Sequence, residues 1–204
     1  MSSESDALRR VLEVLDLLEI PYMLCGSMAS SLYGIPRTSF DVDLIANLHA
    51  SQVDEFGEAL KGEFYLDKDT IREALDRTRS FHLIHSSSVY KVDIFPLQQD
   101  DYSQTEFARR RTGEVRSLEG EPFECVFATA EDTILSKLRW YRAGGETSER
   151  QWHDLLGILH ISGDTLDLAY LDTWAPRIGV ADLLESLQTH VTIKKCPTNP
   201  ARLT

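Results

Sequence analysis

The spacing of apolar residues predicts alternating helices and strands over the first part of the chain. A helical stripe of leucines and valine runs through residues 5–19, where apolar side chains recur every three or four positions. Short apolar runs bounded by turn residues indicate strands further along. The expected strands lie at 22–25, 40–46, 81–85, 89–95, 114–118 and 122–127, the last two forming a hairpin around Glu119-Gly120-Glu121, and the expected helices at 27–33, 51–61, 69–79 and 107–111.

From residue 129 onward the pattern is helical only. Thr129 and Asp132 have the spacing of a capping box, and Ser148 is a suitable N-cap for a second helix. Helices are expected up to Arg142, from Ser148 to Ile161, and at 165–174 and 181–190. The predicted fold class is α/β of the α+β kind, with a mixed β-sheet core at 1–128, a helical region at 129–195 packed on it, and a flexible tail at 196–204.

Composition places the chain among ordinary globular proteins. Of its 204 residues, 42% are hydrophobic and 26% are charged, and no apolar run reaches the ~20 residues that span a bilayer. The first residues lack the basic start and apolar stretch of a signal peptide, so we expect a cytoplasmic protein without a membrane partner. The three cysteines show no disulfide or zinc spacing.

Net charge limits the classes of partner. A formal charge of −12 argues against a broad nucleic-acid-binding surface. One dense basic run, Arg109 to Arg111, is either a solvated helix face or a local contact for RNA. Three aromatic residues near the C-terminal helices, Trp140, Tyr141 and Trp152, are expected to serve in packing rather than to stack on a base.

Two aspartates interrupt an apolar strand in the sequence LCGSMASSLYGIPRTSFDVDLIA. Asp41 and Asp43 are two residues apart, so their side chains project from the same strand face while Val42 faces the core. Two adjacent carboxylates repel each other, and a divalent cation such as Mg²⁺ relieves that repulsion. Asp93, in the strand VYKVDIFPL, is a candidate third carboxylate, able to help hold two metal ions and to act as general base.

A phosphate site is expected close to these carboxylates. Gly26 and Ser27 lie between a strand and a short helix. A glycine at this point lets the backbone approach a ligand, and the helix N-terminus offers free N–H groups to a phosphate. Arg37 and Ser39, just ahead of the aspartates, are further candidates for phosphate contacts, with an ordinary loop role as the alternative.

These residues resemble the DNA polymerase β-like nucleotidyltransferase superfamily. The resemblance covers residues 22–95 and consists of Gly-Ser, a thirteen-residue spacer, Asp-x-Asp, and a distal third Asp. It implies a nucleotidyltransferase-type sheet and a reaction in which an NTP, with Mg²⁺ or Mn²⁺, donates NMP to an acceptor and releases pyrophosphate. In that reaction, Asp41 and Asp43 would bind metal and Asp93 would bind metal and activate the acceptor. Gly26 and Ser27 would hold the phosphates.

The helical region adds a second resemblance. The stretch TAEDTILSKLRWYRAGGETSERQWHDLLGIL is similar to the second half of minimal nucleotidyltransferases of the abortive-infection toxin kind. Lys137 and Asp154 match the positions that complete the site there. The resemblance implies that Lys137 holds the triphosphate, that Asp154 orients Lys137, and that an antitoxin protein is a possible partner. A surface ion pair is the alternative for these two residues.

Three functions remain open at this point. The first is an active nucleotidyltransferase whose acceptor is an RNA such as tRNA, a protein, or a small molecule such as an aminoglycoside. The second is a catalytically inactive nucleotide-binding or partner-binding module of the same fold, which would have little need for three clustered carboxylates. The third is another metal-dependent phosphoryl enzyme, such as a phosphohydrolase, which the missing His/Asp metal pair disfavours.

Overall fold

The structure, a computed structural model, describes residues 4–39, 41–115 and 121–195. Short 3₁₀ segments also occur at Ala50–Gln52 and Gly163–Thr165. The helices are α1 Glu4–Leu17, α2 Gly26–Tyr33, α3 Val53–Ala59, α4 Lys68–Asp76, α5 Asp101–Arg109, α6 Ala130–Ala143, α7 Glu149–Ser162, α8 Leu168–Arg177 and α9 Ala181–Lys195. The strands are β1 Tyr22–Leu24, β2 Asp41–Ala46, β3 Phe64–Tyr65, β4 Phe81–His85, β5 Lys91–Pro96, β6 Arg111–Val115 and β7 Phe123–Phe127.

The described strands form one seven-stranded mixed sheet. Its order is β3-β4-β5-β2-β1-β7-β6. The β2–β5 and β1–β7 pairs are parallel, whereas the β1–β2, β3–β4, β4–β5 and β6–β7 pairs are antiparallel. The expected mixed sheet flanked by helices is therefore confirmed.

One face of the sheet is the main hydrophobic core. Val42 and Leu44 of β2 and Val92 and Ile94 of β5 are fully buried on this face, which α1, α3 and α4 cover. Successive side chains of a strand point to opposite faces, so the intervening residues of β2 and β5 point to the other side. A one-residue slip of either strand would exchange the two sets, and the buried apolar residues prevent it.

The C-terminal helices build a second core on the opposite side. Ile134, Leu135 and Leu138 of α6 are fully buried there, together with Leu155 and Ile158 of α7. Helix α2 packs against both α6 and α7. The helices that follow residue 129 are thereby held against the element that begins at Gly26.

Two glycines allow a close approach between α7 and the segment after α2. A Cβ atom added to Gly34 would lie 2.8 Å from the backbone nitrogen of Ile158 and 2.9 Å from the carbonyl carbon of Gly157. A Cβ added to Gly157 would lie 3.2 Å from the backbone nitrogen of Ile35. Backbone atoms meet here without side chains between them, which fixes the position of α7 relative to α2.

Several element boundaries differ from the sequence prediction. The helix expected at 107–111 was wrong in extent: α5 begins at Asp101, because the Asp100 side chain caps it by accepting from the Ser103 N–H at 3.0 Å. Arg111 belongs to β6, so this strand starts three residues earlier than expected. The two-residue strand β3 was missed because it is too short to show a pattern. Glu119, Gly120, Phe40 and the tail 196–204 lie outside the described residues.

Arg109, the first residue of the basic run, makes structural contacts within the protein. Arg109 forms ion pairs with Glu131 at 3.3 Å and Asp132 at 3.2 Å, and its guanidinium lies 3.8 Å from the centre of the Tyr170 ring. It therefore ties α5 to α6 and α8. Among the helices described, none is both long and apolar enough to cross a membrane.

We expect Gly34→Ala to destabilise the protein by about 2–3 kcal/mol, because the added methyl group forces two backbone segments apart. The measurement is urea unfolding of both proteins. Gly163→Ala is the matched control, since its backbone is helical (φ −54°) and an added Cβ meets nothing within 4 Å. Equal stability of wild type and Gly34→Ala would contradict the close packing of α2 and α7.

Candidate active site

Three carboxylates share the face of the sheet opposite the main core. Asp41 and Asp43 alternate along β2 with buried apolar residues. The parallel pairing of β2 with β5 places Asp43 directly beside Asp93 and Asp41 beside Lys91. The three predicted carboxylates therefore lie close together on two neighbouring strands. Asp43 and Asp93 are adjacent although they are 50 residues apart in the chain.

Gly26 is required by its contact with Asp43. Its φ is +54°, in the left-handed region, and an added Cβ would lie 2.0 Å from Oδ2 of Asp43. The backbone N–H of Cys25 donates to the Asp43 carbonyl oxygen at 2.9 Å, and the N–H of Ser27 donates to the Asp43 carboxylate. The N-terminus of α2 therefore lies directly against β2, so the predicted phosphate site and metal site are adjacent.

A chain of hydroxyl groups joins the phosphate side to the first aspartate. The Ser27 hydroxyl donates to the Ser39 hydroxyl at 3.0 Å, which donates to Oδ1 of Asp41 at 2.8 Å. Ser39 is thus not an ordinary loop residue, because it orients the Asp41 carboxylate. Both serines present oxygen atoms at the edge of the carboxylate cluster.

Like charges surround Asp43 within the carboxylate cluster. Burial raises the pKa of Asp43, and the charges of Asp41 and Asp93 raise it further. The hydrogen bond from the Ser27 N–H and the positive charge of Lys137 oppose this rise without cancelling it. A cation at this position would lower the energy of the cluster.

Lys91 neutralises the third carboxylate. Its Nζ lies 2.7 Å from Oδ2 of Asp93, two residues along the same face of β5. The hydrogen bond to Asp93 is the largest cause of the raised pKa of Lys91, and the charges of Asp41 and Asp43 contribute as well. The sequence prediction missed this residue, although its two-residue spacing from Asp93 was a visible signal.

A second charged cluster lies on the helical side of the site. Asp154 of α7 accepts from Nε and Nη2 of Arg37 at 2.9 and 3.0 Å, and from Nζ of Lys137 at 2.8 Å. The side chains of Lys137 and Asp154 are 9% and 5% exposed, so this is a buried pair and not a surface one. Burial raises the pKa of Asp154, but the bonds from Arg37 and Lys137 outweigh burial and hold it below its ordinary range.

The two clusters influence each other electrostatically. Asp41 and Asp43 both contribute to the raised pKa of Arg37, after the larger effect of its bond to Asp154. Lys137 in turn lowers the pKa of Asp43. The structure therefore brings together all nine predicted site residues, with anionic groups on the sheet and cationic groups on α6 and the segment after α2. They are Gly26, Ser27, Arg37, Ser39, Asp41, Asp43, Asp93, Lys137 and Asp154.

The donor set suits a divalent metal ion that is shared with a substrate. In the ranges 4–39, 41–115 and 121–195, no group of three His, Cys, Asp or Glu side chains forms a complete metal cluster by itself. Mg²⁺ is commonly held by one or two carboxylates together with substrate phosphates. Asp41 and Asp43 provide such a pair, and the like-charge repulsion at Asp43 is the kind that a cation removes.

Solved nucleotidyltransferase structures resemble this fold. An antigenic nucleotidyltransferase-like protein from Paracoccidioides brasiliensis aligns with a TM-score of 0.51 at 16% identity, covering 89% of this chain and 91% of that one. The antibiotic-resistance factor ANT(2'')-Ia aligns at 0.48, with 15% identity and coverages of 90% and 95%. The lincosamide antibiotic adenylyltransferase LnuA aligns at 0.45, with 13% identity and coverages of 76% and 95%.

The chain has a nucleotidyltransferase-type fold. The likeness to the Paracoccidioides protein and the mixed sheet carry this statement, and the fold expected from the sequence resemblance is confirmed. Neither a family model nor a curated protein matches the sequence. At this identity the likeness concerns the fold, and the chemistry has to be argued from the residues themselves.

We expect Asp43→Asn to stabilise the metal-free protein at pH 7 by about 1 kcal/mol, which raises the Tm by ~2–4 °C in a chain of this size. The pKa of Asp43 is higher in the folded state than in the unfolded chain. Its charge therefore penalises folding above the folded pKa, and the penalty disappears below the unfolded one. Thermal unfolding in EDTA from pH 4 to pH 8 should show the gain shrinking towards pH 4. If Asp43→Asn were less stable than the wild type at pH 7, the claim that charge repulsion at Asp43 destabilises the fold would be wrong.

We expect Asp154→Asn to destabilise the protein by about 3 kcal/mol at pH 7, because it leaves two cations without their buried partner. The lowered pKa of Asp154 means that its contribution is complete above the ordinary Asp value and is lost as the pH falls through the folded value. The difference in the free energy of unfolding between the wild type and Asp154→Asn should therefore shrink as the pH is lowered. In the double variant Asp154→Asn/Lys137→Met, urea unfolding should show that part of the lost stability is recovered. If the destabilisation caused by the two substitutions were strictly additive, the groups would not be coupled.

Proposed function

We propose that this protein is a metal-dependent nucleotidyltransferase that moves NMP from an NTP to an acceptor hydroxyl. One observation carries the proposal: the N-terminus of α2, the Asp41–Asp43 pair and Asp93 lie on adjacent elements of one sheet face. Because β1, β2 and β5 are adjacent strands, the proposed phosphate site, metal site and base would follow one another across the sheet. If the protein did not carry out such a reaction, the clustering of Asp41, Asp43 and Asp93 would lower its stability for no evident reason.

The nucleotide side of the site is formed by main-chain and cationic groups. Gly26 lets the backbone approach the phosphates, and the Ser27 and Ser39 hydroxyls are available to their oxygens. Lys137 and Arg37, held in place by Asp154, supply positive charge to the triphosphate. Mg²⁺ or Mn²⁺ would be held by Asp41, Asp43 and Asp93 and would stabilise the negative charge that develops on the phosphate oxygens.

The acceptor side of the site is formed by Asp93. The acceptor hydroxyl oxygen attacks the α-phosphorus, and a new phosphodiester bond forms as the bond to the bridging oxygen of the β-phosphate breaks. Pyrophosphate leaves with the electrons of that bond, and the Asp93 carboxylate accepts the hydroxyl proton. Nζ of Lys91, 2.7 Å from Oδ2 of Asp93, places a positive charge beside the proposed base.

A place in a toxin–antitoxin pair belongs to the same proposal. It is supported by the sequence resemblance around Lys137 and Asp154, and these two residues form the buried pair that the resemblance requires. The antitoxin would be a second protein, and the acceptor would be an RNA, a protein or a small molecule.

A transfer assay tests the proposal. Each of four α-³²P-labelled NTPs is incubated with Mg²⁺ or Mn²⁺, the protein and a cell lysate. We expect label on an acceptor with the wild type and at least a ~100-fold lower rate with Asp41→Asn or Asp43→Asn, because each removes a metal ligand. Asp76→Asn, exposed on α4 under the opposite sheet face, is the matched control and should leave the rate unchanged.

Three other outcomes of this assay would contradict the proposal. Undiminished transfer by Asp43→Asn would remove the carboxylates from the reaction. Metal-dependent NTP binding without transfer would favour the inactive nucleotide-binding module. Label released as free NMP without an acceptor would favour a phosphohydrolase.

A further inference from the structure

We propose that Phe95 and Trp140 form the acceptor subsite, where they hold a flat ring of a small acceptor that is not a polyanion. The inference rests on the proposed function and names the substrate class for the same site. It depends on the position of these two rings, on the exposure of Trp140, and on the pairing of the cations around them.

The two rings lie beside the candidate base. Phe95 follows Asp93 by two residues on β5, so both side chains are on the face that carries the carboxylates. Trp140 follows Lys137 by three residues on α6, so these two side chains lie on the same side of that helix. The ring centres of Phe95 and Trp140 are 6.0 Å apart at an interplanar angle of 62°.

Trp140 is far more exposed than the apolar residues that precede it on α6. Its relative exposure is 59%, although Ile134, Leu135 and Leu138 of the same helix are fully buried. Tyr141 and Trp152 do pack on each other, with ring centres 5.3 Å apart, as the sequence indicated. Trp140 contacts Phe95 on one side and leaves 59% of its surface exposed. An exposed tryptophan backed by a second aromatic ring is a common anchor for a ligand ring.

The position of Phe95 on β5 favours the acceptor over the nucleotide. In the proposed reaction the triphosphate lies at the N-terminus of α2, on the β1 side of Asp43, while Asp93 is on the β5 side. In an in-line displacement the attacking oxygen and the leaving pyrophosphate are on opposite sides of the phosphorus. The acceptor therefore approaches from β5, where Phe95 and Trp140 are located.

The charges on the surrounding helices favour a small acceptor over a nucleic acid. Arg109 is paired with Glu131 and Asp132, and Arg142 with Glu146 and Asp182. A nucleic acid is bound by free cations that displace the counterions condensed on its phosphates, and both of these arginines are already paired within the protein. The net charge of −12 also repels a polyanion.

The test compares acceptor use by three variants. The probes are a lysate filtrate that contains only small molecules and, separately, the RNA and protein fractions of the same lysate. Each is supplied with the labelled NTP and Mn²⁺. Trp140→Ala removes the ring and Trp140→Phe keeps an aromatic face. Tyr65→Ala removes another exposed aromatic ring (73% exposed), on the edge strand β3, two strands away from β5.

The wild type should label a compound in the filtrate. Trp140→Ala should raise the amount of filtrate needed for the half-maximal rate about tenfold or more, as expected when a stacked ring is lost. Trp140→Phe should stay within about threefold of the wild type, and Tyr65→Ala should match it. The Kd for a non-hydrolysable analogue of the NTP that gives label, measured by calorimetry with Mn²⁺, should be the same in all four proteins.

Three results would overturn the proposal while leaving the transfer reaction in place. They are an unchanged filtrate requirement in Trp140→Ala, a weaker nucleotide Kd in that variant, and label found only in the RNA or protein fraction. Absence of label in every fraction with the wild type would instead contradict the proposed function, and the acceptor subsite would fall with it.

Discussion

Repulsion among three carboxylates on two neighbouring strands is the constraint on which this site depends. Asp41, Asp43 and Asp93 cannot turn away from one another, because the alternate positions of β2 and β5 are fully buried in the main core. Gly26 brings the N-terminus of α2 against Asp43, where any Cβ would collide with the carboxylate. Holding these like charges close together lowers the stability of the folded protein, and such a cost is typical of a functional site.

The helical region supplies the opposite charge. Asp154 holds Arg37 and Lys137 in one buried cluster that joins α7, α6 and the segment after α2. Because the contact at Gly34 fixes α7 against α2, the cationic cluster keeps its place across from the carboxylates. In the proposed reaction, the metal ion would face the carboxylates of the sheet and the phosphate oxygens would face the cations of the helical region.

The sequence allowed part of this site to be predicted. The alternation of Asp41 and Asp43 with apolar residues was sufficient to place both on one face, because strand periodicity is local. The pairing of Asp43 with Asp93 depends on which strands become neighbours, and the Arg37–Asp154 contact joins residues 117 positions apart, so neither followed from spacing. The exposure of Trp140 could not be predicted from the sequence either, because it depends on how the neighbouring elements are arranged around the ring.

The most direct test of the account is Mn²⁺ binding measured by electron paramagnetic resonance, with and without a non-hydrolysable NTP analogue. The account predicts that Mn²⁺ binds tightly only when the nucleotide is present, because Asp41 and Asp43 provide an incomplete ligand set that phosphate oxygens complete. The double variant Asp41→Asn/Asp43→Asn should lose this nucleotide-dependent binding and keep its fold. Nucleotide binding that is independent of Mn²⁺ and unaffected by the double substitution would contradict the central claim.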